Sequence, residues 1–146
     1  MLTRTELRDW LEVIEGTRAL LNALDRQLRT EAGMSHDDYE ILSRLYRESG
    51  HVMRMADLAS RVGYTPSRLT HAVARLERQG LVRRSRSAVD RRGVEAVLTE
   101  LGVERVRDAS PGHFDQVRHI VFETLSPEEV GQLGEAMNAI RRATSE

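Results

Sequence analysis

Leu7, Ile14, Leu21 and Leu28 recur every seven positions, and Leu11, Leu20 and Leu24 widen the stripe they form. Apolar residues so spaced share one face of a helix, so the first thirty residues are predicted to be one long helix that Gly33 ends. Ser35 followed by Asp38 signals a second start, with Tyr39, Leu42, Leu45 and Tyr46 as the buried side and Glu48-Ser49-Gly50 as the close. Met55, Leu58, Ala59 and Val62 then give a short helix stopped by Gly63. Thr65 fits an N-cap and Pro66 the first helical position, where a missing N–H costs no hydrogen bond. The helix begun there runs to about Gln79, and Gly80 terminates it.

After Gly80 the period changes. LVRRSR and GVEAVLT have strand character and are joined by the loop SAVDRR, residues 87–92. Two helices linked by a tight glycine-containing turn and followed by a β-hairpin make a winged helix-turn-helix. Helix returns with Leu101, Val103 and Val106, and later Val117, Ile120, Val121 and Phe122; Pro111-Gly112 between them predicts a kink or a short break. Ser126-Pro127-Glu128-Glu129 is a capping box that opens a last helix bearing Val130, Leu133, Met137 and Ile140 on one side. The fold class expected is mainly α with a small β-hairpin wing. It is a single domain over 1–146, with a winged helix-turn-helix at 52–99 flanked by dimerisation helices at 1–34 and 100–146. The flanking stripes carry more apolar surface than a 48-residue winged domain can cover, so a homodimer is expected.

Composition narrows the chemistry. The 146 residues include no cysteine, which excludes disulfides, cysteine zinc sites, thiol nucleophiles and thiol peroxide sensors. The N-terminus is charged without an apolar core, and no apolar run approaches a membrane span, so a cytoplasmic protein with no membrane partner is expected. All 22 basic residues are arginine, and the net charge of −1 is segregated. Residues 52–99 hold ten arginines against Asp57, Glu77, Asp90 and Glu95, a net of +6, and the remainder holds 12 arginines and 19 acids, a net of −7. A basic middle between acidic ends suggests a surface that meets a polyanion.

On the helix from Pro66 to Gln79, Leu69, Ala72, Val73 and Leu76 cluster on one side. Ser67, His71, Ala74 and Arg78 lie opposite, flanked by Arg68, Thr70 and Arg75. This outer face offers hydroxyls, an imidazole and guanidinium groups suited to phosphates and base edges, with Thr65 at its start. In the hairpin, Arg91 or Arg92 at the tip suits a narrow minor groove, Asp90 is placed to hold one of them, and Arg83, Arg84 and Arg86 suit the phosphate backbone. A protein-interaction module of the same fold is the alternative. It predicts an apolar or mixed outer face, whereas this one is polar and basic. No Gly-rich phosphate loop, nucleophile–base pair or paired carboxylates occur, so an enzyme is not expected and no cofactor is implied.

The run VGYTPSRLTHAVARLERQGLVRR and the wing AVDRRGVEAVLTELG resemble the MarR family of bacterial transcription regulators, and the order of helices around them matches over essentially the whole chain. That resemblance implies a homodimer with interlocked terminal helices that binds a pseudo-palindromic operator in double-stranded DNA, repression being the usual mode. It further implies that Asp90 and Arg92 are the family's wing pair, with Arg92 in the minor groove. Ser67, Arg68, Thr70, His71 and Arg75 fall at its major-groove positions. His71 stands where many members carry arginine, which implies a weaker guanine contact and a mild pH sensitivity there. Release by a small aromatic or phenolic effector is also implied; Trp10, Tyr39, Arg44, Tyr46 and His51 are residues of suitable chemistry for it, although packing explains each of them as well. A metal-responsive regulator is the remaining alternative. His113 and His119 are six apart and off a common helical face, and helix capping accounts for Asp37 and Asp38 beside His36. Exposed histidines and no metal site are therefore expected.

Overall fold

The computed structural model describes residues 1–145. Helix α1 (Arg4–Ala32) starts at Thr3, whose hydroxyl accepts from the Glu6 N–H while the Glu6 carboxylate accepts from the Thr3 N–H, and it ends at Gly33 as the sequence predicts. Helix α2 (His36–Arg47) is capped by the Ser35 hydroxyl, which accepts from the Asp38 N–H. A turn through Gly50 and His51 leads into β1 (Val52–Arg54), then α3 (Met55–Val62), α4 (Pro66–Arg78), β2 (Val82–Arg86) and β3 (Val94–Leu98). Helices α5 (Glu100–Val117) and α6 (Pro127–Ala143) complete the described chain.

The turn between α3 and α4 is short because Gly63 adopts φ +71°, which ends α3, and Thr65 caps α4 by accepting from the Arg68 N–H. An L-residue in that left-handed conformation costs roughly 1–2 kcal/mol. The wing is a three-stranded antiparallel sheet rather than a bare hairpin. β3 lies in the middle, with Val97 opposite Val52 on one side and Ala96 opposite Arg84 on the other. Three residues are too few for an alternating pattern, and β1 is recognisable only by its pairing.

The core lies where α2, α3 and α4 meet the sheet beneath the crossing of α1 and α5. Leu42, Leu45, Leu58, Val73 and Leu76 are fully buried there, and Leu69 and Val82 nearly so. Each such leucine contributes roughly 1.5–3 kcal/mol by leaving water. Gly102 lets the start of α5 pass directly under the wing, since a Cβ there would collide with the Leu81 carbonyl oxygen and the Leu98 side chain.

Of the kink or short break expected at Pro111, the break does not occur in α5. The helix runs unbroken from Glu100 to Val117, and the irregularity comes later, as a turn of π-helix over Arg118–Phe122. The proline ring faces solvent, whereas Val106, Ala109 and His113 are buried on the opposite side. The Tyr39 and Ser110 hydroxyls share a hydrogen bond of 3.1 Å, and the Ser110 hydroxyl also reaches the Val106 carbonyl at 2.6 Å. Packing on both α1 and α2 outweighs the roughly 3 kcal/mol that an interior proline costs.

The ends of the chain are different. Leu7, Leu11 and Leu21 of α1 and Leu133, Met137 and Ile140 of α6 remain between 40% and 52% exposed. Only the second half of the α1 stripe, at Leu24 and Leu28, is covered within the chain.

Candidate nucleic-acid interface

The inner side of α4 is anchored by Leu69, Ala72, Val73 and Leu76, so its opposite side must face out. Ser67, Arg68, Thr70, His71, Arg75 and Arg78 are all exposed there, with Ala74 half-buried between them. Several of these groups are already engaged. The Thr70 hydroxyl donates to the Pro66 carbonyl at 2.9 Å. Arg68 donates to Asp37 at 3.1 Å, and its guanidinium lies 3.7 Å above the Tyr64 ring. Arg75 pairs with Asp38, whose carboxylate is buried. Burial, reinforced by the neighbouring Asp37 carboxylate, pushes the Tyr64 phenol up to about 12, so it stays a neutral support beneath Arg68.

The wing is tied to this helix by Glu77. Its carboxylate accepts from the Arg84 backbone N–H at 2.9 Å and from the Arg84 guanidinium at 3.0 and 3.3 Å. Arg84 is thus turned toward α4 and away from a free phosphate-binding position. The loop beyond is ordered by its own backbone: the Ser87 N–H donates to Gly93, the Gly93 N–H to Asp90, and the Ser87 hydroxyl accepts from Val89 and Asp90. Asp90 does not grip the Arg91 or Arg92 guanidinium, as the sequence suggests. One of its oxygens accepts from the Arg92 backbone N–H at 3.0 Å, and the other lies 3.6 Å from Arg54 of β1. A carboxylate two residues back reaches the amide more easily than the end of a long side chain. Arg83, Arg86, Arg91 and Arg92 are exposed, and among the described residues none has a carboxylate within ion-pair reach.

Sequence reasoning therefore found the two arginine-bearing elements and missed what holds them. The sequence reads Asp37 and Asp38 only as capping residues and gives Arg54 and Tyr64 no role.

The five effector candidates do not converge. Tyr39 and Tyr46 line a cleft of roughly 400 Å³ between α2 and α5, together with Phe114, Arg47 and Arg107. His51 stacks on Tyr46 with ring centroids 5.4 Å apart. Arg44 lines a different cleft, and Trp10 is half-exposed on the apolar side of α1. The expectation of exposed histidines holds for His119, which bonds Glu123 at 3.0 Å, and fails for His113. His113 is buried against Tyr39, with centroids 4.4 Å apart, and 6.0 Å from His36. Burial, then the nearby His36, lowers its imidazole below the ordinary range, so it packs as a neutral ring. Among the described residues no three His, Asp or Glu side chains are grouped to hold a metal, and no helix is long and apolar enough to cross a membrane.

Known proteins share this arrangement. The MarR family model matches residues 34–94, the stretch from the start of α2 into the wing. Sco3205 of Streptomyces coelicolor, a MarR family transcriptional regulator solved in complex with DNA, is 43% identical over 98% of this chain and 90% of its own, with a TM-score of 0.94. AbsC, a MarR family regulator of the same organism, is 39% identical over 99% and 97% of the two chains, with a TM-score of 0.93. The repressor YetL of Bacillus subtilis is 32% identical over 97 residues, 66% of this chain. That match spans 58% of YetL, a little over half its length. With the winged domain and both flanking helices matched at this identity over nearly their whole length, the chain belongs to the MarR family of transcriptional regulators.

Proposed function

We propose that this protein is a sequence-specific transcription regulator, most simply a repressor, that binds double-stranded DNA in the cytoplasm as a homodimer. One observation carries the reading: the polar face of α4 and the arginines of the wing are exposed on two elements that Glu77 and Arg84 join, and they carry more arginines than acids. Ser67, His71 and Arg78 meet the major groove, with Arg68 and Arg75 presented beside them by Asp37 and Asp38. Arg91 and Arg92 meet the adjacent minor groove, and Arg83 and Arg86 meet the flanking phosphates. The apolar residues left uncovered on α1 and α6 support 1–34 and 100–146 as the dimerisation helices and 52–99 as the reading unit. Twofold symmetry then matches a pseudo-palindrome with half-sites about one helical turn apart. Likeness to a regulator crystallised on DNA supports the same conclusion.

The cleft between α2 and α5 supports release by a small aromatic or phenolic anion. Tyr39, Tyr46 and Phe114 supply ring surface, and Arg47 and Arg107 supply charge at its edge.

Fluorescence anisotropy on DNA from upstream of the gene, against a scrambled duplex at two salt concentrations, tests the reading. The expected result is preference for the native duplex, with affinity falling steeply as salt rises, since each neutralised phosphate adds close to one unit of slope. A folded dimer that fails to bind either duplex at low salt would end the DNA reading and leave the interaction module.

A further inference from the structure

Arg44, one of the residues the sequence offers for effector binding, lines a cleft that contains neither Tyr39 nor Tyr46. This cleft measures roughly 520 Å³ and is walled by Arg44 of α2, Ser60 and Arg61 of α3, and Arg141, Arg142 and Ser145 at the end of α6. Among the described residues its lining is four arginines and two serines, with no acid, ring or aliphatic residue. Among the described residues none of the four arginines has a carboxylate within ion-pair reach, whereas Arg8, Arg29, Arg54, Arg68, Arg75 and Arg84 all do. The Nε of Arg44 is buried and makes no hydrogen bond.

Basic residues are favourable at a helix C-terminus, which accounts for Arg141 and Arg142 individually. Arg44 and Arg61 likewise lie in the last turns of α2 and α3, but the helix ends do not account for all four lining one cleft. Arg141 is also held in place, donating to Asn138 at 2.8 Å while its carbonyl accepts from the Ser145 hydroxyl at 2.8 Å. Four cations from three helices, with no carboxylate partner among the described residues, repel one another until an anion enters, and guanidinium forks match phosphoryl oxygens in geometry as well as charge. With no ring to stack on, the cleft has nothing to select a base or a phenol.

We propose that this cleft is a second ligand site, separate from the DNA surface and from the aromatic cleft, for a compact anion carrying two adjacent phosphoryl groups. Because it joins α3 of the reading unit to the end of α6, its ligand ties the winged domain to the dimerisation helices.

Inorganic pyrophosphate is the probe, titrated calorimetrically into the full-length protein with sulfate at matched ionic strength as the comparison. The expected result is saturable binding at one pyrophosphate per chain, much tighter than sulfate, and weakened about tenfold or more by R141Q/R142Q. R61Q, on a different helix, weakens it as well, and R26Q on the surface of α1 does not. Equal affinity for sulfate and pyrophosphate, or binding unchanged in both R141Q/R142Q and R61Q, would overturn the proposal. So would a DNA salt slope lowered by about two in R141Q/R142Q, which would make the cluster a phosphate-backbone contact.

Discussion

The arginines of α4 and those of the wing are both exposed, yet the chain treats them differently. Arg68 and Arg75 are each held by an acid at the start of α2, and Arg68 also rests on Tyr64. Arg83, Arg86, Arg91 and Arg92 have no such partner among the described residues, and what is fixed around the tip is the backbone of the loop. Ordering a free arginine costs up to about 2 kcal/mol of rotamer entropy. For Arg68 and Arg75 that cost is already met by folding, so in the proposed reading these two offer DNA a set geometry. Arg78 of the same helix has no ion-pair partner among the described residues. In the proposed reading the wing offers unpaired side chains on a hydrogen-bonded loop, which suits a groove whose width varies with sequence. Asp37 and Asp38 exact something in return, because phosphates must compete with them for the same guanidinium groups.

Substitutions that separate the two behaviours sharpen this contrast. The largest effect on DNA is expected at the tip: Arg92→Ala should weaken operator binding by about 1–3 kcal/mol, roughly 5- to 150-fold. Thermal stability should stay within about 0.5 kcal/mol of the parent, since the Arg92 side chain has no hydrogen-bond or ion-pair partner among the described residues and its backbone bond to Asp90 survives the substitution. A large drop in melting temperature would show that the tip is structural after all. Asp38→Ala should give the opposite profile. It leaves Arg75 without its buried partner, so denaturant unfolding should show a loss of about 1–2 kcal/mol, reduced from the fully buried case by the exposure of Arg75. DNA affinity should fall only several-fold, and unchanged stability would mean that Arg75 is not held.

The smallest effect is expected at the join between the two regions. The Glu77 carboxyl is held below its ordinary range by hydrogen bonds from the Arg84 side chain and backbone. Its contribution is present above the unfolded carboxyl value of 4.5 and is lost as pH falls through the lowered folded one. Glu77→Gln should therefore flatten the acid side of the stability profile, measured by thermal melts from pH 6 downward, and should change DNA affinity at most about fivefold. An acid limb identical to the parent's would mean that the clamp does not hold the wing.

How much of this was legible depended on the range of the signal. Helix starts at Ser35, Thr65 and Ser126 could be read because a cap is decided within four residues. The outward face of α4 could be read because its inner face is a complete apolar stripe. Pro111 left break or bend undecided because local propensity says nothing of the packing on α1 and α2 that carries α5 unbroken past it. His113 misled, its burial depending on Tyr39, far away in the chain. The partners of Arg68 and Arg75 lie 31 and 37 residues away, and acids at a helix start are already explained by the cap.

By itself the sequence determined the order of the helices and of the hairpin, the side of α4 that faces out, the arginine-rich wing and the apolar surplus on the flanking helices. Each of these follows from periodicity, capping or composition over a few neighbouring residues. Only the tertiary structure decided which arginines are held and which are free, that β1 completes the wing, that α5 runs through its proline, and that Arg44 joins Arg61, Arg141 and Arg142 in one cleft. Those outcomes depend on contacts between residues far apart in the chain, where packing and electrostatics act on side chains that no local pattern relates.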